Sequence, residues 1–192
     1  PQIIKIKKLI NKLSTTDSRV LVSGPTGSGK ELVARKIHKN SSRSKNPFIV
    51  LNGALLQPDN YEHELFGSEN KDGSITYGFL EKAASGTLLI DEVSEIPLET
   101  QAKILRVLID QKFKRLNGNK DIHVNIRIIS STSKDLKNEV TIGNFREDLY
   151  HRLNVVPIEI PKLSSRPDDI PNLIKYFQKK IAEINGIPEI NL

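Results

Sequence analysis

The stretch Leu21-Val22-Ser23-Gly24-Pro25-Thr26-Gly27-Ser28-Gly29-Lys30 constrains this chain more than any other. A short apolar run reads as a buried strand, a Gly-rich loop follows, and a helical pattern opens at Lys30. Glycines let the backbone curl until successive N–H groups face one centre, and a helix N-terminus adds partial positive charge there. Lys30 then stands where it reaches the outer phosphates of a nucleotide, the arrangement that the spacing G-x-x-x-x-G-K supplies. The Ser or Thr that usually follows the lysine is replaced by Glu31, so the hydroxyl normally offered to Mg²⁺ is missing.

A chain of 192 residues holds one good-sized domain with room for a small appendage. Without cysteine it has no disulfide, thiolate metal site or cysteine nucleophile. No apolar run nears the ~20 residues that span a bilayer, and no signal-peptide pattern opens the chain. A cytoplasmic protein with no membrane partner is expected. The chain lacks Met and begins at Pro1, so it is expected to be a piece of something longer. The net charge of +6 comes from scattered lysines. No dense basic helix or aromatic-interleaved basic strand is present, so direct DNA reading by this segment is not expected.

Ile3, Ile6, Leu9, Ile10 and Leu13 recur at helical spacing and predict an opening amphipathic helix. Strands are expected at Arg19–Ser23, Phe48–Leu51, Gly86–Glu92, Asn125–Ser131 and Val155–Ile160. Between them fall a helix from Lys30 to about Asn40, a short helix at Tyr61–Phe66, and a polar loop at Ser68–Tyr77. A helix opens at Pro97 with Leu98, Ala102, Leu105 and Leu108 on one face, and a hairpin at Phe113–Val124 centres on Asn117-Gly118. Strands apolar throughout and alternating with helices argue for a parallel sheet covered on both faces. After the Pro161–Pro167 linker, Ile170, Leu173, Ile174, Phe177, Ile181 and Ile184 predict a further helix.

Leu88-Leu89-Ile90 leads into Asp91-Glu92, two carboxylates at a strand end downstream of the phosphate loop. One carboxylate there suits Mg²⁺, directly or through water, and its neighbour suits orienting the attacking water. Asn52 ends the second strand, where its amide either holds Glu92 or caps a turn. Thr132 and Ser133 end the fourth strand, where they either approach a γ-phosphate or cap a turn. Phe145, Leu149 and Leu153 form an apolar stripe, with Arg152 close to it and Arg146 just beyond. Each arginine either pairs locally with Glu147 or Asp148 or reaches across a subunit boundary to a neighbour's nucleotide. His151 reads as a surface or structural residue, and no His/Asp/Glu spacing suggests a cage of protein metal ligands.

Taken together, these segments resemble the AAA+ domain of bacterial enhancer-binding proteins, the sigma-54 activators of the NtrC family, and most of all the NtrX-type response regulators. The resemblance rests on Gly24 to Glu31, Glu64-Leu65-Phe66-Gly67, Gly86 to Glu92, Gln101 to Leu108 and Phe145 to Leu153. It implies an α/β fold, a P-loop NTPase of three layers (α/β/α) around a five-stranded parallel sheet, followed by the start of a helical lid. Residues 1–162 would be the nucleotide-binding part and residues 163–192 the linker and first part of the lid.

The resemblance also implies roles. Gly24, Pro25, Thr26, Gly27, Ser28, Gly29, Lys30 and Glu31 would form the Walker A loop for ATP or ADP. Asp91 would serve Mg²⁺ as Walker B, Glu92 would be the catalytic glutamate, and Asn52 its switch partner. Thr132 falls at sensor I, where the usual following Asn is Ser133. Arg146 and Arg152 fall on the arginine-finger positions. Such proteins work as rings, usually hexamers, with ATP between subunits, and touch DNA through a domain that this chain does not contain. The interval Ser68–Tyr77 is short and lacks the G-A-F-T-G-A hexapeptide, which weighs against sigma-54 contact. It leaves nucleotide binding untouched and contact with RNA polymerase open. Two readings follow: a working ATPase, or a nucleotide-binding and oligomerisation module that does not hydrolyse.

Overall fold

The computed structural model describes residues 2–186, with the side chains of residues 2 and 3 left aside. The expected contribution of Ile3 to the first helix, and the last residues of the expected lid, 187–192, lie outside the described set. In chain order the elements are α1 (Gln2–Ser14), β1 (Val20–Ser23), α2 (Lys30–Lys39), β2 (Phe48–Asn52), α3 (Tyr61–Phe66), β3 (Gly67–Glu69), β4 (Ile75–Tyr77) and α4 (Phe79–Lys82). There follow β5 (Thr87–Asp91), α5 (Leu98–Asp110), β6 (Lys112–Phe113), β7 (Ile122–His123), β8 (Arg127–Thr132), α6 (Leu136–Thr141), α7 (Glu147–Leu153), β9 (Val156–Glu159) and α8 (Ile170–Asn185).

Five strands form one parallel sheet in the order β2-β5-β8-β1-β9. Side chains alternate across a strand, so each strand feeds two cores. On one face Val20, Val22, Leu89 and Ile129 meet Ile10 and Leu13 of α1 and Ala34 and Ile37 of α2. On the other Leu21, Leu51, Leu88, Ile90 and Ile128 meet Leu65 of α3, Ile104 and Val107 of α5, and Leu149 and Leu153 of α7. Helices therefore cover both faces, and the three-layer architecture follows from strands with no polar face to offer water.

The structure moves some expected boundaries. α5 buries Leu108 of its expected face and packs Leu105 against the core, while Leu98 is 47% exposed. Its buried residues are Thr100, Gln101, Ile104, Val107 and Leu108, because the buried Gln101 amide is drawn inward by backbone partners. The interval Ser68–Tyr77 is a hairpin rather than a loop: β3 and β4 pair antiparallel, Gly67 opposite Tyr77. Leu116, from the excursion between β6 and β7, extends this ladder through Glu69 N–H to Leu116 O at 3.0 Å and Leu116 N–H to Gly67 O at 2.9 Å. Arg115 adds charge to the junction, pairing with Glu81 at 2.6 Å and Glu69 at 2.8 Å.

The chain divides at Ile160/Pro161 into two compact units. In the second, two short 3₁₀ turns, Leu163–Ser165 and Pro167–Asp169, precede α8, so the helix begins three residues later than Pro167. Among its described residues only Ala182 is buried, and Ile174, Phe177, Ile181 and Ile184 are exposed.

Candidate nucleotide site

All five core strands run the same way, so their C-terminal ends share one edge, where open α/β sheets bind ligands. Residues 24–29 leave β1 there as a loop, with Gly24 N–H donating to Thr132 O at 3.2 Å and Ser28 N–H to Pro25 O at 3.1 Å. Gly27 and Gly29 have φ of 76° and 97°, the left-handed region that a side chain rarely tolerates. A Cβ on either would meet nothing within 4 Å, so the hollow they border is open. Gly29 caps α2 without any side-chain bond, leaving the helix's first N–H groups to an outside acceptor.

Lys30 opens α2 and is only 6% exposed. Its ammonium donates to Gly24 O at 3.1 Å and Pro25 O at 3.4 Å, and stands 3.0 Å from Glu92 Oε1. Glu31 turns away to pair with Arg35 one helical turn on, at 2.7 Å, so its carboxylate takes no part in the hollow.

Asp91 ends β5 and accepts a short hydrogen bond from the Ser131 hydroxyl of β8. Glu92 leaves the strand with φ 51° and ψ 56°, an uncommon conformation for a residue with a side chain and one that recurs at functional sites. Its Oε2 accepts both the N–H and the O–H of Ser133, each at 2.8 Å. Burial alone raises the Glu92 carboxyl, but the two Ser133 donors and then Lys30 outweigh it and hold the group ionised below its ordinary value.

Asn52, opposite Asp91 in register, does not hold Glu92 in this structure. Its Oδ1 accepts Ala54 N–H at 3.0 Å and caps the turn after β2. Thr132 is buried; its hydroxyl accepts Lys134 N–H at 3.1 Å and lies 3.3 Å from Ser94 Oγ, so it caps a turn instead of facing the hollow. Period-two alternation explains this: Ser131 and Ser133, one residue to either side, reach Asp91 and Glu92 instead. Neither serine was expected to contact these carboxylates; the strand's own parity was the available signal.

Arg146 is the N-cap of α7 and makes a two-pronged pair with Asp148, at 3.0 and 2.7 Å. Its N–H donates to the buried Gln101 Oε1 at 2.9 Å, which fixes where α7 starts. Arg152 is exposed, not set against the stripe, and makes no ion pair among the described residues. Burial, then the charge of Arg152, lowers the Arg19 pKa. Among the described residues no hydrogen bond or ion pair joins either arginine to Lys30, Asp91 or Glu92.

The donor set suits a polyphosphate: an uncapped helix terminus, an open curl of glycines and one buried ammonium. It also suits Mg²⁺, which is commonly held by one or two carboxylates together with phosphate oxygens and water. Among the described residues no group of three or more His, Cys, Asp or Glu could make a cation cage by itself. No helix among them is long and apolar enough to cross a membrane.

The family described as the Sigma-54 interaction domain matches residues 1–159. The chain belongs to that family. This sigma-54 interaction domain is 46% identical over 184 residues to the nitrogen assimilation regulatory protein NtrX of Azorhizobium caulinodans, covering 95% of the chain and 40% of that protein. It is 42% identical over 191 residues to the transcriptional regulator NtrC of Proteus hauseri, covering 97% and 40%. The chain thus spans about two fifths of the length of these relatives.

Among solved structures the domain is similar to Brucella abortus NtrX, with TM-score 0.94 and 47% identity over all of this chain and 44% of that one. The Brucella protein has also been solved with ATP and with ADP, at TM-scores of 0.92 and 0.93 and 46% identity; those structures too cover 100% of this chain, and 44% and 42% of theirs. The P-loop NTPase domain of an E. coli sigma-54 transport activator, 22% identical with TM-score 0.60 over 84% of this chain and 95% of that one, shares the fold.

Proposed function

We propose that this domain binds Mg·ATP at the β1–α2 loop and hydrolyses it, as the central part of an NtrX-like two-component regulator in the cytoplasm. Nucleotide-dependent assembly into a ring would carry the signal to transcription. The observation that carries the reading is the convergence of the uncapped α2 terminus, buried Lys30 and the Asp91–Glu92 pair on one sheet edge. ATP and ADP complexes of the 46%-identical Brucella protein support it.

In this reading the N–H groups of residues 27–31 and the Lys30 ammonium take the β- and γ-phosphates. Asp91, oriented by Ser131, holds Mg²⁺, which when bound neutralises charge on the phosphates. Glu92 orients and polarises the attacking water. Arg146 and Arg152, which address nothing in their own loop, act on the nucleotide of a neighbouring subunit; Arg146 must first leave Asp148. DNA is reached through another part of the longer protein, and sigma-54 contact is not part of the proposal.

The test is steady-state hydrolysis and calorimetry on the full-length protein. Turnover that rises with protein concentration and is abolished by Lys30→Ala and Glu92→Gln supports the reading. Turnover insensitive to both substitutions rejects it, and tight binding without turnover would leave a nucleotide-dependent assembly module.

A further inference from the structure

We propose that Ser133 is the positioning residue for Glu92, gripping one carboxylate oxygen so that the other is free to exchange Lys30 for the attacking water. The proposal rests on the nucleotide reading above. Its basis is an asymmetry within one side chain. Glu92 Oε2 receives two donors from a single residue, the N–H and O–H of Ser133, each at 2.8 Å. Oε1 has a different partner, the Lys30 ammonium at 3.0 Å. Two donors on one oxygen fix the rotation of the carboxylate plane and leave the second oxygen to swap partners without moving the first.

The anchor itself is held firmly. Ser133 follows directly on β8, which pairs with β5 and β1 on either side, and the next peptide is capped by Thr132. Lys30 is the mobile end. It shares its ammonium among Gly24 O, Pro25 O and Glu92, and a polyphosphate in the hollow offers it more negative charge than one carboxylate. When Lys30 turns to phosphate, Oε1 loses its partner while Oε2 stays on Ser133, and the carboxylate keeps its aim.

Asn52 does not do this task here: no hydrogen bond joins its amide to Glu92, and its Oδ1 accepts Ala54 N–H. The left-handed backbone of Glu92 also needs a tether, because an uncommon conformation persists only where its surroundings over-determine it.

The experiment compares Ser133→Ala, Ser133→Thr and Asn52→Ala in the full-length protein, reading kcat, KM, the Mg·ATP Kd by calorimetry and the nucleotide-free crystal structure. Ser133→Ala removes the hydroxyl and keeps the N–H, so kcat should fall about tenfold while Kd changes less than about threefold. Ser133→Thr, which restores a hydroxyl, should return kcat to within about twofold. A Ser133→Ala enzyme with unchanged kcat, a loss seen in KM alone, or a loss confined to Asn52→Ala overturns the proposal. Wild-type protein that takes no Mg·ATP, or takes it without turnover, sinks the ATPase reading instead. The nucleotide-free crystals then decide the anchor. A Glu92 carboxylate that leaves Lys30 in Ser133→Ala upholds it, and one that stays in place overturns it.

Discussion

Lys30 Nζ lies 3.0 Å from Glu92 Oε1, an ion pair between the start of α2 and the end of β5 across the edge where β8 also ends. On the proposed reading, a phosphate bound by Lys30 would compete with this carboxylate for the ammonium, and part of the binding energy would go into that exchange.

Glu92→Gln should therefore tighten Mg·ATP binding, by about fivefold to tenfold, while stopping turnover. Lys30→Ala should weaken binding at least about tenfold. Calorimetry on the two variants separates the effects, and equal weakening by both would show that the pair does not compete with nucleotide.

Arg146→Ala and Arg152→Ala should each lower turnover on the order of 10³-fold with little change in nucleotide Kd. Because neither arginine touches its own loop, mixing Arg152→Ala subunits with Lys30→Ala subunits should restore part of the activity. Mixed rings that stay inactive would place the arginine's action within its own subunit.

His38 sits buried on α2 with Nδ1 2.9 Å from the Thr87 hydroxyl of β5. Burial pushes its imidazole below the ordinary 6.5, outweighing the Asn46 backbone, which pulls it back up, while Arg127 and Arg35 push it down further. The unfolded chain takes a proton near the ordinary value and the folded chain resists it. Stability is therefore full above about pH 6.5 and falls as pH drops from there to the folded value. Thermal unfolding from about pH 7.5 to about 5.5 should show that loss, and His38→Gln, which does not titrate, should flatten it.

Gly86, just before β5, would place a Cβ 2.0 Å from Pro47 O, which already accepts Thr87 N–H. Both are backbone atoms at the start of the β2–β5 pairing, so neither can swing aside. Gly86→Ala should cost roughly 3 kcal/mol in denaturant unfolding. A loss under about 0.5 kcal/mol would mean that the strands can part without penalty.

Much of this was legible in the residues. The five strands announced themselves because Leu88-Leu89-Ile90 and Ile128-Ile129 have no polar face, and only a sheet covered on both sides can bury them. The G-x-x-x-x-G-K spacing located the loop, and the Phe145, Leu149 and Leu153 stripe located α7, all three side chains being buried. Other features were illegible for physical reasons. Ser68-Glu69 and Ile75-Thr76-Tyr77 carry no alternation strong enough to predict a hairpin, and part of its pairing comes from Leu116, 48 residues beyond Ser68. Whether Thr132 or Ser133 reached Glu92 turned on where β8 ended, and a shift of one residue reverses the answer. Asn52 could cap or clamp, and only the folded turn after β2 shows its Oδ1 taking Ala54 N–H with no bond from the amide to Glu92.

The seam between the β3–β4 hairpin and the β6–β7 excursion ties two surface segments together. Leu116 threads main-chain bonds to Gly67 and Glu69, and Arg115 grips Glu69 and Glu81 beside it. These bonds join the two segments, so displacing one against the other would break two main-chain hydrogen bonds and the Arg115–Glu69 ion pair.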